Sequence, residues 1–447
     1  MTAASEQHSG QVRMAHRLAH VYRDRLLHVH GIGWHHFGGT RWVYDDTGAA
    51  KRAVLDILRT ALADSLQDKQ LRTDVRKCES ASGVNGVLDI AAALKAFAAT
   101  TRDLDADPYL LNVANGTLDL RTLELRDHHP GDGITKVTRA AWRPDAVGDV
   151  WAAHIGLVLP DESVRAYLQR LVGLSLLGTV REHVLPILTG TGGNGKGVTY
   201  GALLHALGDY ASTVEPDLFM HRDGAHPTGE MDLLGRRLVI VSESERDRRL
   251  AEATMKRLTG GDTIRARRMR QDFVEFAPSH LPLLITNHLP RVSGDDPAIW
   301  RRIRIIPFDV TVTDEQRRKS AGIEEHLQGE ADAILSWAIA GWADYQARRG
   351  LDEPASVLAA TDAYHRNSDA VGQFITECCS TAPTLKAETK QLFERWERWR
   401  STEGVELLSM RAFGIALDNK GYTAQKSTGG RRFRNGIGLL ANPGGAE

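Results

Sequence analysis

The run Gly190-Thr191-Gly192-Gly193-Asn194-Gly195-Lys196-Gly197 has the spacing G-x4-G-K. It lies between an apolar, strand-like stretch, HVLPILTG at 183–190, and a helix-like one that opens at Val198, VTYGALLHALG at 198–208. In such a setting the glycines let backbone N–H groups converge on phosphates. The helix N-terminus favours an anion there, and a lysine reaches the β- and γ-phosphates. All eight loop residues and Val198 are therefore candidate nucleotide contacts. The plainer alternative is a Gly-rich turn with a solvated lysine. One position departs from the usual pattern: Gly197 stands where a Ser or Thr hydroxyl normally binds Mg2+. Thr199 lies two residues on, about 200° round the helix, and substitutes poorly. Metal would then depend more on acidic residues and water.

Those acids follow in Ser242-Glu243-Ser244-Glu245, delivered by the apolar run RLVIVSE at 237–243. The carboxyl end of a strand is where ligands sit in open α/β sheets. Glu243 is the first choice for polarising an attacking water or holding Mg2+, with Glu245 supporting it, and spacing alone does not divide the roles. A third run, LPLLITN at 281–287, ends in Asn287, whose neutral amide can hydrogen-bond water and γ-phosphate without adding negative charge. Next come Arg301, Arg302 and Arg304 in WRRIRIIPF at 300–308. An arginine given to a neighbouring subunit's nucleotide would stabilise charge developing during phosphoryl transfer, whereas the bland reading is a basic strand edge. Between the acidic and Asn strands, Arg265, Arg267, Arg268 and Arg270 precede an aromatic strand and suggest a β-hairpin with a cationic tip. Such a tip can track a phosphate backbone without reading bases.

The elements that must position these residues fit a chain of 447 residues, about three domains at roughly 150 residues each. Hydrophobic residues at 42% and charged residues at 25% exclude a largely disordered chain. With 56 Lys plus Arg against 57 Asp plus Glu, any nucleic-acid surface must come from local patches. Cys78, Cys378 and Cys379 make neither a four-thiolate zinc site nor a disulfide framework, which suits a reducing cytoplasm. The first twenty residues lack an apolar signal core, and no run reaches the ~18 apolar residues of a membrane span, so a soluble, unexported protein is expected. Short strands are expected within 26–43, helices over 50–68 and 83–99, a hairpin over 110–137 and a linker at 143–149. The division that follows is an N-terminal α+β domain at 1–149, an α/β domain at 150–349 and a smaller module at 350–447. In that last module Leu392, Phe393, Trp396 and Trp399 mark one apolar helix face. Lys420, Lys426, Arg431, Arg432 and Arg434 fall in a span without acids, as a hairpin wing touching phosphate requires.

Taken in order, GTGGNGKG, RLVIVSESE, KRLTGGDTIRARRMRQDFVEF, LLITNHLPR and DDPAIWRRIRIIPF resemble the motifs of superfamily 3 helicases. The closest type is the phage and plasmid primase–helicase family related to poxvirus D5-like NTPases. The segment at 107–138 resembles that family's domain preceding the helicase, and 416–439 its winged-helix tail. The resemblance implies an AAA+-like P-loop NTPase core that forms a ring, a hexamer, and hydrolyses ATP with Mg2+ between subunits. By motif, Lys196 is the phosphate-binding lysine, Glu243 the acidic residue of the second motif and Asn287 the polar sensor. Arg301 is the arginine finger, with Arg302 as second choice. The Arg267–Gln271 hairpin would line the channel and pull one strand of single-stranded or forked DNA, moving 3′ to 5′. The chain leaves no room for the polymerase-like primase domain of many relatives, so a separate primase or polymerase is an expected partner, in the cytoplasm of a bacterial host.

Two other readings compete: an ATP-controlled DNA-binding initiator that does not unwind, and a small-molecule kinase, for which the hairpin and basic tail have no use. The aspartates Asp103, Asp105 and Asp107 and the pair His35 and His36 are weaker metal candidates, better explained as loop and packing residues.

Overall fold

The computed structural model describes residues 8–220, 227–243, 245, 248–267, 273–292, 296–403, 405, 407–426 and 431–440. The first unit begins with α1 (Gly10–Tyr22), the strands β1 (Leu26–Val29), β2 (Gly33–Phe37) and β3 (Trp42–Tyr44), and the helices α2 (Ala49–Asp64), α3 (Lys69–Cys78) and α4 (Ala81–Ala92). With β4 (Ala98–Ala99) the strands form a sheet of order β3-β2-β1-β4. Helix spacing of Val54, Ile57, Leu58 and Ala61 buries one face of α2 against Met14 and Leu18 of α1, closing a core that ends at Phe97.

The meander β5 (Leu110–Val113), β6 (Gly116–Asp119) and β7 (Glu124–Arg126) follows in sequence but packs elsewhere. Its Leu111, Val113, Leu118 and Leu120 join the core of the α/β unit. Two buried donors fix it there. Trp342 Nε1 donates to Leu120 O at 2.8 Å. The buried Arg237 guanidinium, stacked on the Tyr210 ring at 4.5 Å, donates to Leu110 O and Leu176 O. A buried cation is tolerable when carbonyls and an aromatic face replace its water. The first core thus ends at Phe97, and the meander shares the core of the α/β unit.

The α/β unit contains α5 (Asp149–Val158), α6 (Glu162–Ser175), β8 (Leu185–Thr189), α7 (Lys196–Leu207), β9 (Ala211–Val214), β10 (Leu238–Glu243), α8 (Glu252–Thr259), β11 (Ile264–Ala266), β12 (Val274–Phe276), β13 (Leu281–Thr286), α9 (Pro297–Trp300), β14 (Ile303–Pro307), α10 (Asp314–Lys319), α11 (Ile323–Gly329) and α12 (Ala331–Arg348). Five strands make one all-parallel sheet of order β14-β8-β13-β10-β9. Both faces are covered, which is why β13 reads as an uninterrupted apolar run with every residue buried. Four of these strands match apolar runs in the sequence; β9, only four residues with Ser and Thr in its middle, does not stand out there. On one face α6 and α12 touch through Gly173 and Gly341: a Cβ on Gly173 would collide with the Trp342 N–H, and one on Gly341 with Gln169 O.

Helix α13 (Ala355–Ser368) also belongs to this unit. Thr361 Oγ1 accepts from Ile305 N at 3.0 Å, and Trp300 stacks on His365 at 4.1 Å. The last module is α14 (Ala370–Cys378), β15 (Cys379–Glu388), α15 (Thr389–Glu403), α16 (Met410–Asn419), β16 (Ala424–Lys426) and β17 (Arg432–Leu439), with an antiparallel sheet of order β15-β17-β16. Leu392, Trp396 and Trp399 line the α15 face that packs on Phe374 and Phe413, as their spacing requires. Among the described residues no helix is long and apolar enough to cross a membrane.

Candidate nucleotide site

Strand register builds the site. Thr189, Thr286 and Glu243 are paired across β8, β13 and β10, so they form one row at the carboxyl edge of three adjacent strands. The phosphate-type loop starts one residue beyond Thr189, and Asn287 follows Thr286. Neighbouring strands are about 4.8 Å apart, which brings all three motifs within side-chain reach.

The loop ends in Gly195 at φ +81°, the N-cap of α7, with no side chain capping the helix. Its first-turn N–H groups thus remain available to an anion. Only glycine fits at 195, because a Cβ would run into Val158 of α5. Lys196 is buried, and its Nζ donates to Gly190 O at 2.8 Å, Asn194 Oδ1 at 3.1 Å and Asn287 Oδ1 at 3.2 Å. Burial lowers the Lys196 ammonium from its ordinary pKa. Asn194 Nδ2 ties the loop to β14 by donating to Phe308 O at 2.9 Å. Thr191, Gly192 and Gly193 complete the turn, and Gly197 and Val198 lie in the first turn of α7; the Arg317 guanidinium of α10 packs where a Gly193 Cβ would lie, 2.6 Å from its Nη2.

Glu243 is 5% exposed. Its Oε1 accepts from Glu245 N at 2.7 Å, while its buried Oε2 accepts no hydrogen bond among the described residues. Arg248 approaches with Nε 3.7 Å from that oxygen, Nη1 3.1 Å from Glu245 Oε2 and Nη2 on Asp217. An orphaned buried carboxylate oxygen at this edge suits a divalent cation or a polarised water. Thr199 does not replace the missing hydroxyl ligand. Its Oγ1 is buried against Gly195 O and His154 Nε2, each at 3.0 Å, and burial pushes His154 down to about 4, so the ring is neutral. Exchanging Glu243 for Gln keeps the shape but removes a carboxylate charge; if that carboxylate is the base of a nucleotide hydrolysis, the rate should fall about 100-fold with nucleotide binding retained. A hydrolysis assay beside equilibrium binding measures both.

The arginines lie elsewhere. Arg301 and Arg302 precede β14, which runs parallel to β8, so they occupy the amino edge of the sheet. Five strand residues span about 17 Å, which keeps them from their own chain's loop. Arg301 is exposed, with Nε on Pro297 O at 3.2 Å. Arg302 Nη1 donates to Ala298 O at 2.7 Å, and Arg304 is paired with Glu353. All three line an open cavity of about 780 Å3 together with Arg181 and His183.

The hairpin β11–β12 exists, with Arg265 opposite Glu275. Arg265 and Arg267 place their guanidinium groups over Phe273 at 4.8 Å and 4.7 Å, and this half-exposed ring was not singled out by sequence reasoning. Arg268 and Arg270 lie outside the described residues, as does the side chain of Lys426. Arg431 and Arg432 are exposed. Arg434 is a correction: it is 4% exposed, pairs with Asp418 and donates to Tyr422 O at 2.9 Å, so it holds the module together and is not a phosphate contact. Removing it should destabilise that module by about 1–3 kcal/mol while leaving DNA affinity of the folded protein unchanged, as a melting curve and a binding titration would read. Lys420 is likewise paired, with Asp369. The aspartates before the meander serve the loop: Asp103 caps Thr100, Asp105 takes Thr135 N, and Asp107 pairs with Arg121. Among the described residues no three His, Cys, Asp or Glu side chains converge for a metal.

The family described as "D5 N terminal like" matches residues 15–160, and a "Family of unknown function (DUF5906)" matches 188–302, the span of loop, acids, hairpin, Asn287 and Arg301. "Putative helicase L207/L206" of Acanthamoeba polyphaga mimivirus is 25% identical over 82% of this chain and 43% of that protein. "Putative helicase 022R" of Frog virus 3 is 28% identical over 65% of this chain and 31% of its own length. "Putative primase C962R" of African swine fever virus (isolate Tick/Malawi/Lil 20-1/1983) is 22% identical over 67% and 34%. The chain spans less than half the length of these viral relatives, none of which comes from the bacterial setting expected from sequence. Among solved structures, the apo NrS-1 C terminal region is 13% identical, with a TM-score of 0.42 over 67% of this chain and 78% of that one. With both a D5-type N-terminal segment and the motif-bearing segment matched in their proper order, and viral relatives named as helicases and primases similar over 65% of the chain or more, the comparisons support kinship with the D5-like primase–helicases.

Proposed function

We propose that the chain is the motor of an ATP- and Mg2+-dependent, ring-forming DNA helicase of superfamily 3 that acts in replication. The observation that carries this reading is the Lys196 ammonium shared among Gly190, Asn194 and Asn287, one strand away from the orphaned Oε2 of Glu243. Phosphoryl transfer asks a protein mainly for positioning and charge stabilisation. Lys196 exchanges its neutral acceptors for β- and γ-phosphate oxygens. The Asn287 amide, released by that exchange, orients the attacking water, and Glu243 takes its proton. Mg2+ would be held by Glu243 and phosphate oxygens, where it offsets the phosphate charge. Arg301 of one protomer completes the site of the next.

The AAA+-like reading of the core is supported by a parallel sheet whose loop-bearing strand is internal and whose ligand edge is the carboxyl edge. The winged-helix reading of residues 370–440 is supported by the order helix, strand, two helices, then a two-stranded hairpin. Arg265, Arg267, Arg431 and Arg432 are the basic contacts for one DNA strand, with Phe273 offering a face on which a base can stack. A strand-displacement assay on a forked duplex tests the whole reading. ATP-dependent release of the displaced strand is expected; ATP hydrolysis and DNA binding without release would reject it in favour of an initiator.

A further inference from the structure

A cavity of about 530 Å3 lies between the N-terminal unit and the parallel sheet. It is separate from the phosphate loop. Asp209 and Arg236, which line it, come before β9 and β10, at the amino edge of the sheet, whereas Glu243 ends β10 at the other edge. Six strand residues put about 20 Å between the two. Ile32, Tyr44, Met231 and Phe276 supply apolar and aromatic lining. Arg41, Lys136 and Arg236, with Asp105 and Asp209, supply a charged wall.

Charge on that wall is not balanced. Arg41 Nε pairs with Asp209 at 2.9 Å. Asp105 is committed to its own loop, accepting from Thr135 N at 2.9 Å and Thr135 Oγ1 at 2.6 Å. Lys136 Nζ donates only to Thr135 Oγ1, at 3.3 Å, and has no ion-pair partner among the described residues. Arg236 donates to the carbonyls of Asp209 and Ala211 and likewise meets no carboxylate within ion-pair distance among them. Arg102 and Glu275 also line the cavity, and Glu275 is within 4.0 Å of Arg265 on the neighbouring strand. Burial lowers the Lys136 ammonium from its ordinary pKa, so the fold bears a cost here that an anion would relieve.

The backbone is also shaped around these groups. Asp105 is a non-glycine residue at φ +50°, and Gly235 sits at φ +70° where a Cβ would lie 3.1 Å from Lys136 Cε and 3.2 Å from Asp105 Oδ2. Positive φ at a non-glycine residue is unfavourable and tends to persist where a site needs it.

We propose that this cavity is a second nucleotide-binding site, with phosphates held by Lys136 and Arg236 and the base lying against Tyr44 and Phe276. Its volume is within the range of small-ligand pockets, and a lining that combines aromatic and apolar side chains with Lys136 and Arg236 matches a base joined to phosphate. Arg41 and Lys136 belong to segments before the sheet and Arg236 to the turn that leads into β10, so a bound nucleotide would brace that joint. The inference does not depend on hydrolysis at the phosphate loop.

Calorimetric titration of ATP into the full chain carrying Lys196→Ala provides the test. About one ATP per chain should still bind, and adding Lys136→Met or Arg236→Gln should weaken that binding about tenfold or more. Pyrophosphate should compete and adenosine should bind at least about tenfold more weakly than ATP. No ATP binding by Lys196→Ala at millimolar concentration would overturn the proposal, as would double variants that bind unchanged. Adenosine binding as tightly as ATP, or an oligothymidylate bound through Lys136 in place of ATP, would also overturn it. If a double variant fails to fold, amide exchange around Gly235 in Lys196→Ala alone decides: protection on adding ATP supports the site and its absence refutes it. Lost hydrolysis in Lys196→Ala reports on the phosphate loop, so the two readings can fail separately.

Discussion

Lys196→Ala is expected to lower DNA-stimulated ATP hydrolysis by at least about 100-fold, the size of effect seen when one preorganised donor is removed from a phosphoryl or acyl transfer site. The fold should survive. Lys196 opens α7, where alanine is a strong helix former, and the acceptors it leaves lie beside a solvent-exposed loop that water can enter. The loss is electrostatic. In the structure the ammonium is held by three neutral acceptors, and a triphosphate replaces them with charge-assisted bonds about twice as strong. The same exchange frees Asn287, so the variant loses both the phosphate clamp and the signal that positions the water. Steady-state hydrolysis with and without single-stranded DNA measures this, with a melting curve as the folding control. Turnover at the wild-type rate would remove the nucleotide assignment.

Arg301→Ala should reduce kcat by about 1,000-fold, at the lower end of what an arginine finger contributes, with a smaller change in KM. The reason lies in the direction of the strands. β8 delivers the loop at its carboxyl end and β14 begins at Arg301's edge, so one chain cannot bring the two together. A heterologous ring contact can. Mixing Arg301→Ala with Lys196→Ala protein therefore restores activity. In a random equimolar ring about a quarter of the interfaces join an intact loop to an intact arginine. Hydrolysis as a function of mixing ratio, at constant total protein, is the measurement. A flat line at the level of the separate variants would dismiss action in trans, and recovery with Arg302→Ala in place of Arg301→Ala would move the role one residue along.

Much of this site is legible in sequence because its parts are local. A glycine loop before a helix, a carboxylate pair after an apolar run and an asparagine ending another apolar run each declare their chemistry within ten residues. The tail shows where locality fails. Arg431, Arg432 and Arg434 look alike as residue types, and Arg432 and Arg434 even share a face of β17, yet only Arg434 is covered there, where Asp418 meets it from the end of α16 and Tyr422 O accepts from it. Arg248, Asp217, Arg317 and Phe273 carried no comparable signal, because each acquires meaning only from a partner 3 to about 120 residues away.

The sequence by itself determined the loop, the strand-end acids and the alternating and helical apolar patterns, because backbone periodicity and side-chain chemistry are properties of neighbouring residues. Tertiary structure alone decided three things. It set the row that aligns Thr189, Thr286 and Glu243, the assignment of the 110–126 meander and the 355–368 helix to the α/β core, and the cavity in which Lys136 and Arg236 have no carboxylate within ion-pair distance among the described residues. Those depend on sheet order and on which apolar faces meet, and burial of surface between segments distant in the chain leaves no mark on the spacing within any one of them.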